Sequence, residues 1–171
     1  MQVILLTHER EASRPTNTGS IALKLFPEYC QRIMWSRVTP SELLLAKLGE
    51  SDTALLFPKE LPNEEAVQKT ECSTECGSDY NGDLAQDSLP KTLIILDATW
   101  QEARKMLRQS PYLKTAKTFA LTDTPDSQFT LRRNQVEGGL CTLECIIELF
   151  KQAGMHAEAQ VLTSEFNDFC H

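Results

Sequence analysis

Two continuous apolar runs constrain the fold of this chain more than any other feature. Residues 3–6 and 93–96 consist only of Val, Ile and Leu, and polar residues follow both runs. Strands buried on both faces have this composition, and they occur in parallel sheets that helices cover on each side. The chain is therefore predicted to contain a central sheet with at least two fully buried strands.

Shorter segments between and after these runs alternate between strand and helix patterns. Pro40 and Gly49 flank one helical segment, as expected for a helix start and a helix end. Further strands are predicted at residues 30–35, 53–57 and 117–121, with residue 92 starting the second central strand, and helices at 20–26, 41–48, 99–108, 142–152 and 155–169. This order predicts an α/β fold with a mostly parallel sheet and helices on both faces.

Length and hydropathy indicate one soluble domain. The 171 residues are enough for one core, so residues 1–171 are predicted to form a single domain. No stretch approaches the roughly 20 apolar residues of a membrane span. The first apolar run is too short for a secretory signal. We expect a cytoplasmic protein.

The net charge of −7 arises from one segment. Residues 60–90 hold eight acidic residues and one basic residue, Lys69, and the rest of the chain holds 16 of each sign. An RNA-binding surface elsewhere is therefore compatible with the acidic total. Residues 59–91 also contain Gly, Ser, Asn and Pro with few large apolar side chains, which predicts a mobile acidic insertion.

The six cysteines do not indicate disulfides or a metal site. A chain without an export signal is expected to keep its thiols reduced. Cys72 and Cys76 lie in a polar segment without a nearby histidine, whereas a closed zinc site needs four ligands. Cys141 and Cys145 lie one helical turn apart in an apolar context, as buried free thiols do. No metal is predicted.

Ligands of parallel α/β sheets bind beyond the carboxyl ends of the strands. Three polar segments follow predicted strands, at residues 7–19, 97–100 and 122–142. The first of these places Arg10, Arg14 and Asn17 before a helix, a combination that suits a phosphate or a carboxylate. The alternative is a capped surface loop.

Asp97 directly follows the second apolar run, where a buried strand emerges from the sheet. This position favours a catalytic carboxylate, and the alternative is that Asp97 caps the following helix. Trp100 is either part of the site or core packing. Arg104, Lys105 and Arg108 on that helix, with Arg132 and Arg133, suit a nucleic-acid backbone, although a basic helix face is often simply solvated.

Together these residues resemble the DTW-domain family. Five blocks match in the family order and span residues 8–144. The blocks are His8-x-x-Glu11-x-x-Arg14-Pro15-Thr16-Asn17-Thr18-Gly19, Leu55-Leu56-Phe57-Pro58, Leu96-Asp97-Ala98-Thr99-Trp100-Gln101-Glu102-Ala103-Arg104-Lys105-Met106, Leu131-Arg132-Arg133 and Leu140-Cys141-Thr142-Leu143-Glu144.

The resemblance implies a tRNA-uridine aminocarboxypropyltransferase that uses S-adenosylmethionine and acts on tRNA. It also implies a SPOUT-like fold with a C-terminal trefoil knot. An RNA methyltransferase of the SPOUT type and a noncatalytic RNA-binding protein are the alternatives. Mass analysis of the modified base and a calorimetric test of cofactor binding distinguish the three.

The resemblance also implies roles for individual residues. Asp97 is expected to act as general base or to bind the ammonium of the transferred group, with Thr99 and Trp100 shaping the catalytic pocket. The expected cofactor-binding residues are Leu56, Pro58, Leu96, Leu140, Cys141, Thr142 and Leu143. The expected RNA-binding residues are Arg10, Arg14, Asn17, Arg104, Lys105, Arg132 and Arg133.

This sequence departs from the family pattern in three ways. The cysteine cluster that precedes the first strand in many members is not in the sequence, so the resemblance implies no metal here. Cys141 stands where serine is usual, and a thiol is a weaker hydrogen-bond donor than a hydroxyl. The acidic insertion is longer than the family leads us to expect.

Overall fold

A sheet of five parallel strands forms the centre of the computed structural model, which describes residues 1–56, 89–121, 124–125, 127–129 and 140–171. The strands are β1 (Gln2–Thr7), β2 (Cys30–Met34), β3 (Thr53–Leu56), β4 (Thr92–Asp97) and β5 (Thr118–Phe119). The helices are α1 (Glu9–Ala12), α2 (Gly19–Leu25), α3 (Glu42–Leu48), α4 (Trp100–Gln109), α5 (Pro111–Lys114), α6 (Thr142–Gln152) and α7 (His156–Cys170). The predicted single α/β domain with a parallel sheet is confirmed.

The two predicted apolar runs are the two central strands. The strand order is β2-β1-β4-β3-β5, and β1 pairs with β4 from Gln2 opposite Thr92 to Thr7 opposite Asp97. Residues 3–6 are wholly buried, and residues 93–95 are at most 4% exposed. Continuous Val, Ile and Leu are required here because helices cover both faces of these strands.

Each face of the sheet has its own apolar core. On one face, α2, α6 and α7 pack on alternate strand residues such as Val3, Leu5 and Leu93. On the other face, α3, α4 and α5 pack on the intervening residues, including Ile4 and Ile94. This period-two division between the faces is the normal geometry of strands, and it produces a three-layer domain.

The predicted elements agree with the structure except at their ends and in two short helices. The strand predicted at 117–121 contains only Thr118–Phe119. Helices α1 and α5 were not predicted, because four residues are too few for a helical period to be visible in the sequence. The alternative that Asp97 caps α4 is wrong, since β4 ends at Asp97 and the N-cap is Thr99.

Some of the residues that were assigned a role lie outside the described part of the chain. These residues are Pro58, Cys72, Cys76, Arg132, Arg133 and those of the acidic insertion up to residue 88. Within the described ranges, no helix is both long enough and apolar enough to cross a membrane.

The two central strands continue into connections that lead to opposite faces of the sheet. The chain after β1 continues to α2, which packs with α6 and α7, and the chain after β4 continues to α4 on the other face. Where neighbouring strands diverge in this way, a crevice opens at their carboxyl ends, and α/β proteins bind ligands there. Thr7 and Asp97 are the last residues of these two strands.

Candidate active site

Asp97 is the centre of a buried polar cluster at the carboxyl ends of β1 and β4. Its side chain is 1% exposed. Thr7 Oγ1 donates to Oδ2 over 3.0 Å, and Thr142 Oγ1 donates to Oδ1 over 2.9 Å. Asn17 Nδ2 lies 3.1 Å from Oδ1 and 3.0 Å from Oδ2. One carboxylate thus connects β4 with β1, with the loop before α2 and with the start of α6.

Arg32 on β2 supplies a positive charge to this cluster. Its Nη2 donates to Asn17 Oδ1 over 3.0 Å and lies 3.7 Å from Asp97 Oδ2. The buried Nε of Arg32 has no hydrogen-bond partner among the described residues. Arg32 was not predicted to belong to the site. It is a single guanidinium within a predicted strand, and its partner in register on β1 is the buried Leu5.

A second buried carboxylate, Glu11, extends the cluster towards α4. Glu11 is 1% exposed, and its Oε1 accepts from Asn17 Nδ2 over 3.3 Å. Arg14 bridges two acids, with Nη1 2.9 Å from Glu11 Oε2 and Nη2 3.2 Å from Glu102 Oε1. The cluster therefore runs without a break from the edge strand β2 to the first turn of α4.

Thr99 and Glu102 form a capping box at the start of α4. Thr99 donates to Glu102 Oε2 from its backbone N over 3.1 Å and from Oγ1 over 3.0 Å, and Oγ1 accepts from the Glu102 backbone N over 3.3 Å. Burial raises the pKa of Glu102, but the hydrogen bonds from Thr99 and the charges of Arg14 and His8 outweigh burial and lower the pKa overall. Glu102 is therefore an anion that fixes the direction of α4 beside Asp97.

Gly19 allows the first turn of α2 to approach Asp97. A Cβ atom at this position would lie 2.9 Å from Leu5 Cδ1, 3.2 Å from Asp97 Oδ1 and 3.2 Å from Thr142 Cγ2. The start of α6 approaches from the same side, with Thr18 Oγ1 accepting from the Leu143 backbone N over 3.3 Å. A side chain at this position would require the buried Leu5 to shift, so glycine allows the close approach of the strand, the carboxylate and α6.

Glu144, in the first turn of α6, accepts three hydrogen bonds that fix the start of this helix. It accepts from the Cys141 backbone N, the Ser127 Oγ and the Gln128 backbone N, each over 2.7 Å. These bonds satisfy a free amide at the helix start and attach residues 127–128 to α6. Glu144 belongs to the last of the five family blocks, and its contact with Ser127 and Gln128 has no signature in a single sequence.

Residues from three separated sequence blocks thus meet in space, from 8–19, 96–106 and 140–144. A family model described as the DTW domain matches residues 1–171. This chain belongs to the DTW-domain family. The resemblance predicted from the sequence is therefore confirmed, and residues of its blocks line one cluster.

One named relative of this DTW-domain protein comes from Drosophila melanogaster and is called tRNA-uridine aminocarboxypropyltransferase 2. It is 26% identical over 146 residues, which cover 84% of this chain and 52% of the relative. The chain therefore spans about half the length of that relative. No solved structure gives a significant match.

The predicted cofactor-binding residues that are described in this DTW-domain chain lie at the ends of two strands and at the start of α6, with Leu56 packed against the α2–α6–α7 core and Leu96 against the α3–α4–α5 core. Leu56 and Leu96 lie at the carboxyl ends of the adjacent strands β3 and β4, and both are half-buried. Leu140, Cys141 and Thr142 are also half-buried at the start of α6, whereas Leu143 is wholly buried in the core. The Leu143 side chain is therefore core packing, and its backbone N donates to Thr18 Oγ1. Pro58 lies outside the described residues.

Cys141 does not provide a reactive thiol. Burial, reinforced by the negative charge of Glu144, raises the pKa of Cys141 to about 12. Cys145, one turn further along α6, also has a raised pKa because of its burial. Both thiols are protonated near neutral pH and serve as packing groups.

The predicted RNA-binding residues are in different environments. Arg10 and Lys105 are exposed, whereas Arg104 is half-buried. Arg14 is held by Glu11 and Glu102, and Asn17 is 2% exposed with its amide on Asp97. Arg132 and Arg133 lie outside the described residues.

Trp100 and the ring pair His8–Trp35 lie at the rim of the cluster. Trp100 is half-buried in the first turn of α4. The His8 and Trp35 rings stack with centroids 5.4 Å apart, and Trp35 Nε1 donates to Ser110 Oγ over 2.8 Å. Flat rings held at a crevice are suited to contact with a nucleobase.

Proposed function

We propose that this chain transfers the 3-amino-3-carboxypropyl group of S-adenosylmethionine to N3 of a uridine in tRNA and releases methylthioadenosine. The observation that carries the proposal is the convergence of three DTW-type sequence blocks on the Asp97 cluster, at the divergence of β1 and β4. The DTW-domain match over residues 1–171 and the name of the Drosophila relative support the same reaction.

The chemistry of the crevice fits S-adenosylmethionine. Leu56, which packs against the α2–α6–α7 core, and the half-buried Leu140 just before α6 offer apolar side chains to an adenosine. Among the described residues, the cluster combines the carboxylates of Glu11, Asp97 and Glu102 with the guanidiniums of Arg14 and Arg32. Carboxylates near the crevice suit a cationic sulfonium.

Bound S-adenosylmethionine supplies a carbon made electrophilic by its sulfonium, so that attack by uridine N3 breaks the carbon–sulfur bond and the electron pair leaves on the sulfur of methylthioadenosine. The residues of the chain supply orientation, which selects the chain carbon over the methyl carbon. Thr99 fixes the start of α4 by its capping box, and the first turn presents Trp100 at the rim.

We propose a positioning role for Asp97. Three side chains donate to its carboxylate, Arg32 lies 3.7 Å away, and only 1% of the side chain is exposed. A general base must reach the proton that it removes, and the oxygens of Asp97 are already occupied. Asp97 instead holds the starts of α2 and α6 in the geometry that forms the crevice, and the N3 proton passes to water.

We also propose a SPOUT-like arrangement of the domain, a C-terminal trefoil knot and a cytoplasmic location. The fold features follow from the resemblance to the DTW-domain family. Residues 130–139, which precede α6, lie outside the described residues.

The test uses an unmodified tRNA transcript with two preparations of S-adenosylmethionine. One carries its label in the methionine carbon chain, and the other carries it in the methyl group. We expect the chain label alone to enter the tRNA. Methyl label in the tRNA would assign the chain to the methyltransferases, and cofactor binding without transfer of either label would leave an RNA-binding role.

A further inference from the structure

The two faces of the sheet differ in charge. Residues 103–121, which include most of α4 and all of α5, contain five basic residues and no acidic residue. Residues 142–171, which form α6 and α7 on the opposite face, contain five acidic residues and one basic residue, Lys151. The positive charge of the described part is thus concentrated on the α4–α5 side.

Lys105, Arg108 and Lys114 are exposed on this side. None of the three forms an ion pair with any residue in the described ranges. Other lysines of the chain behave differently, because Lys47 pairs with Glu50 and Lys151 pairs with Glu148. Three cations without an ion-pair partner among the described residues give this side a positive potential.

A fourth exposed cation, Arg37, is brought next to these residues by the loop after β2. Tyr112 of α5 donates its hydroxyl to the Ser36 carbonyl over 2.8 Å. Trp35 Nε1 donates to Ser110 Oγ between α4 and α5, also over 2.8 Å. These two bonds hold the loop against α5. We call Arg37, Lys105, Arg108 and Lys114 the basic face.

The basic face is continuous with the candidate active site. Helix α4 starts immediately after the Asp97 cluster, with Thr99 as its N-cap. Lys105 follows Trp100 by five residues and Arg108 by eight, which corresponds to about 8 Å and 12 Å along the helix axis. The His8–Trp35 ring pair lies between the cluster and the loop that carries Arg37.

We propose that the basic face binds the phosphate backbone of a structured RNA and lays it along α4 towards the Asp97 crevice. Unpaired Lys and Arg side chains bind phosphates by releasing counterions, without reading sequence. That the RNA is tRNA rests on the proposed function. Arg104 and Lys117 are not part of the face, because Arg104 is half-buried and Lys117 donates to the Ser51 carbonyl.

The test compares two double variants of the 171-residue chain. Lys105→Gln/Arg108→Gln removes two charges from the basic face, and Lys24→Gln/Lys151→Gln removes two from the opposite side. The two variants are matched in charge, since each removes two cations, and Arg108, Lys24 and Lys151 each lie in the last turn of a helix. Lys151→Gln also removes the ion pair with Glu148, so circular dichroism checks that both variants are folded. The probe is one fluorescently labelled, unmodified tRNA transcript, titrated at several salt concentrations.

We expect the basic-face variant to lower the slope of log affinity against log salt by roughly 1.4 to 1.8, at about 0.7 to 0.9 for each of two lost phosphate contacts. At about 0.1 M salt this corresponds to binding weakened roughly 30-fold. The control variant should change the slope by less than about 0.5. Equal slopes for the two variants would overturn the proposed surface and leave the transfer reaction untouched.

Two further arms separate the remaining outcomes. If the protein without substitutions shows no salt-dependent binding to the transcript at low salt, both the proposed RNA-binding surface and the proposed tRNA substrate are wrong. Vesicles containing phosphatidylserine serve as an alternative polyanion. If they bind as tightly as the transcript and lose the same slope in the Lys105→Gln/Arg108→Gln variant, the face is a membrane-binding surface and the RNA proposal is overturned.

Discussion

Replacing Asp97 by Asn tests whether this carboxylate organises the site or takes a proton. The substitution keeps the size of the side chain but removes its charge and replaces one acceptor oxygen by a donor. Asn17 Nδ2, which lies 3.1 Å and 3.0 Å from the two oxygens, would then face a second amide donor. Arg32 would lose its nearest described carboxylate.

The expected loss of stability follows from these contacts. Removing one partner of a buried ion pair costs about 3–5 kcal/mol. A hydrogen bond to a charged group contributes about 1.5–3 kcal/mol, and contributions from one network do not add. We therefore expect Asp97→Asn to lower the free energy of unfolding by about 3–5 kcal/mol, a large part of the roughly 5–15 kcal/mol typical of a domain.

Urea unfolding monitored by circular dichroism measures this change, with Asp97→Asn/Arg32→Met and Arg32→Met completing a double-mutant cycle. We expect a coupling energy of about 1 kcal/mol or more, since the double variant no longer leaves an unpaired guanidinium. Residual activity measured below the unfolding transition should keep the pH profile of the parent protein. A loss of less than about 1 kcal/mol with activity abolished would refute the positioning role and favour a general base.

Three other substitutions test separate parts of the cluster. Gly19→Ala should lose about 1–3 kcal/mol of stability and most of the activity, because the Cβ would lie 2.9 Å from Leu5 Cδ1. Gly49→Ala, whose nearest contact would be 3.4 Å, is the matched control, and equal losses in the two variants would show that crowding at Gly19 is unimportant. Glu144→Gln should lose about 1–3 kcal/mol and expose the Gln128 amide to hydrogen exchange, since that amide donates to the carboxylate; Glu148→Gln, which affects an ion pair with the exposed Lys151, should change neither. Cys141→Ser should reduce the loss of stability at alkaline pH. The pKa of the Cys141 thiol is about 12 in the folded protein and near 9 in the unfolded chain, so the unfolded chain releases the proton first. Stability therefore falls by about 1.4 kcal/mol per pH unit between those two values. Unfolding midpoints from pH 8 to 10 should fall less steeply in Cys141→Ser than in the parent, and parallel curves would show that the thiol is accessible to solvent.

The central part of the fold could be predicted because both faces of β1 and β4 are buried. Such strands need apolar side chains at every position, and this leaves a visible run in the sequence. Asp97 could be located for the same reason, as the first polar residue after such a run. The short helices α1 and α5 could not be predicted, since four residues do not show a period.

The partners within the site were harder to predict than its position. Asn17 is a polar residue in a polar loop, and its burial against Asp97 depends on how the loop folds over β1. Arg32 lies in a strand, and the period of two indicates which residues lie on the same face of that strand. It does not indicate which polar group the guanidinium contacts. The division of charge between the α4–α5 side and the α6–α7 side also became visible only with the topology.

The small-molecule product of the reaction distinguishes aminocarboxypropyl transfer from methyl transfer. The chain is incubated with S-adenosylmethionine and an unmodified tRNA transcript, and the released nucleoside is identified by mass spectrometry alongside the digested tRNA. We expect methylthioadenosine in a one-to-one ratio with an aminocarboxypropyl-modified uridine. Release of S-adenosylhomocysteine with a methylated nucleoside would show that the chain is a methyltransferase.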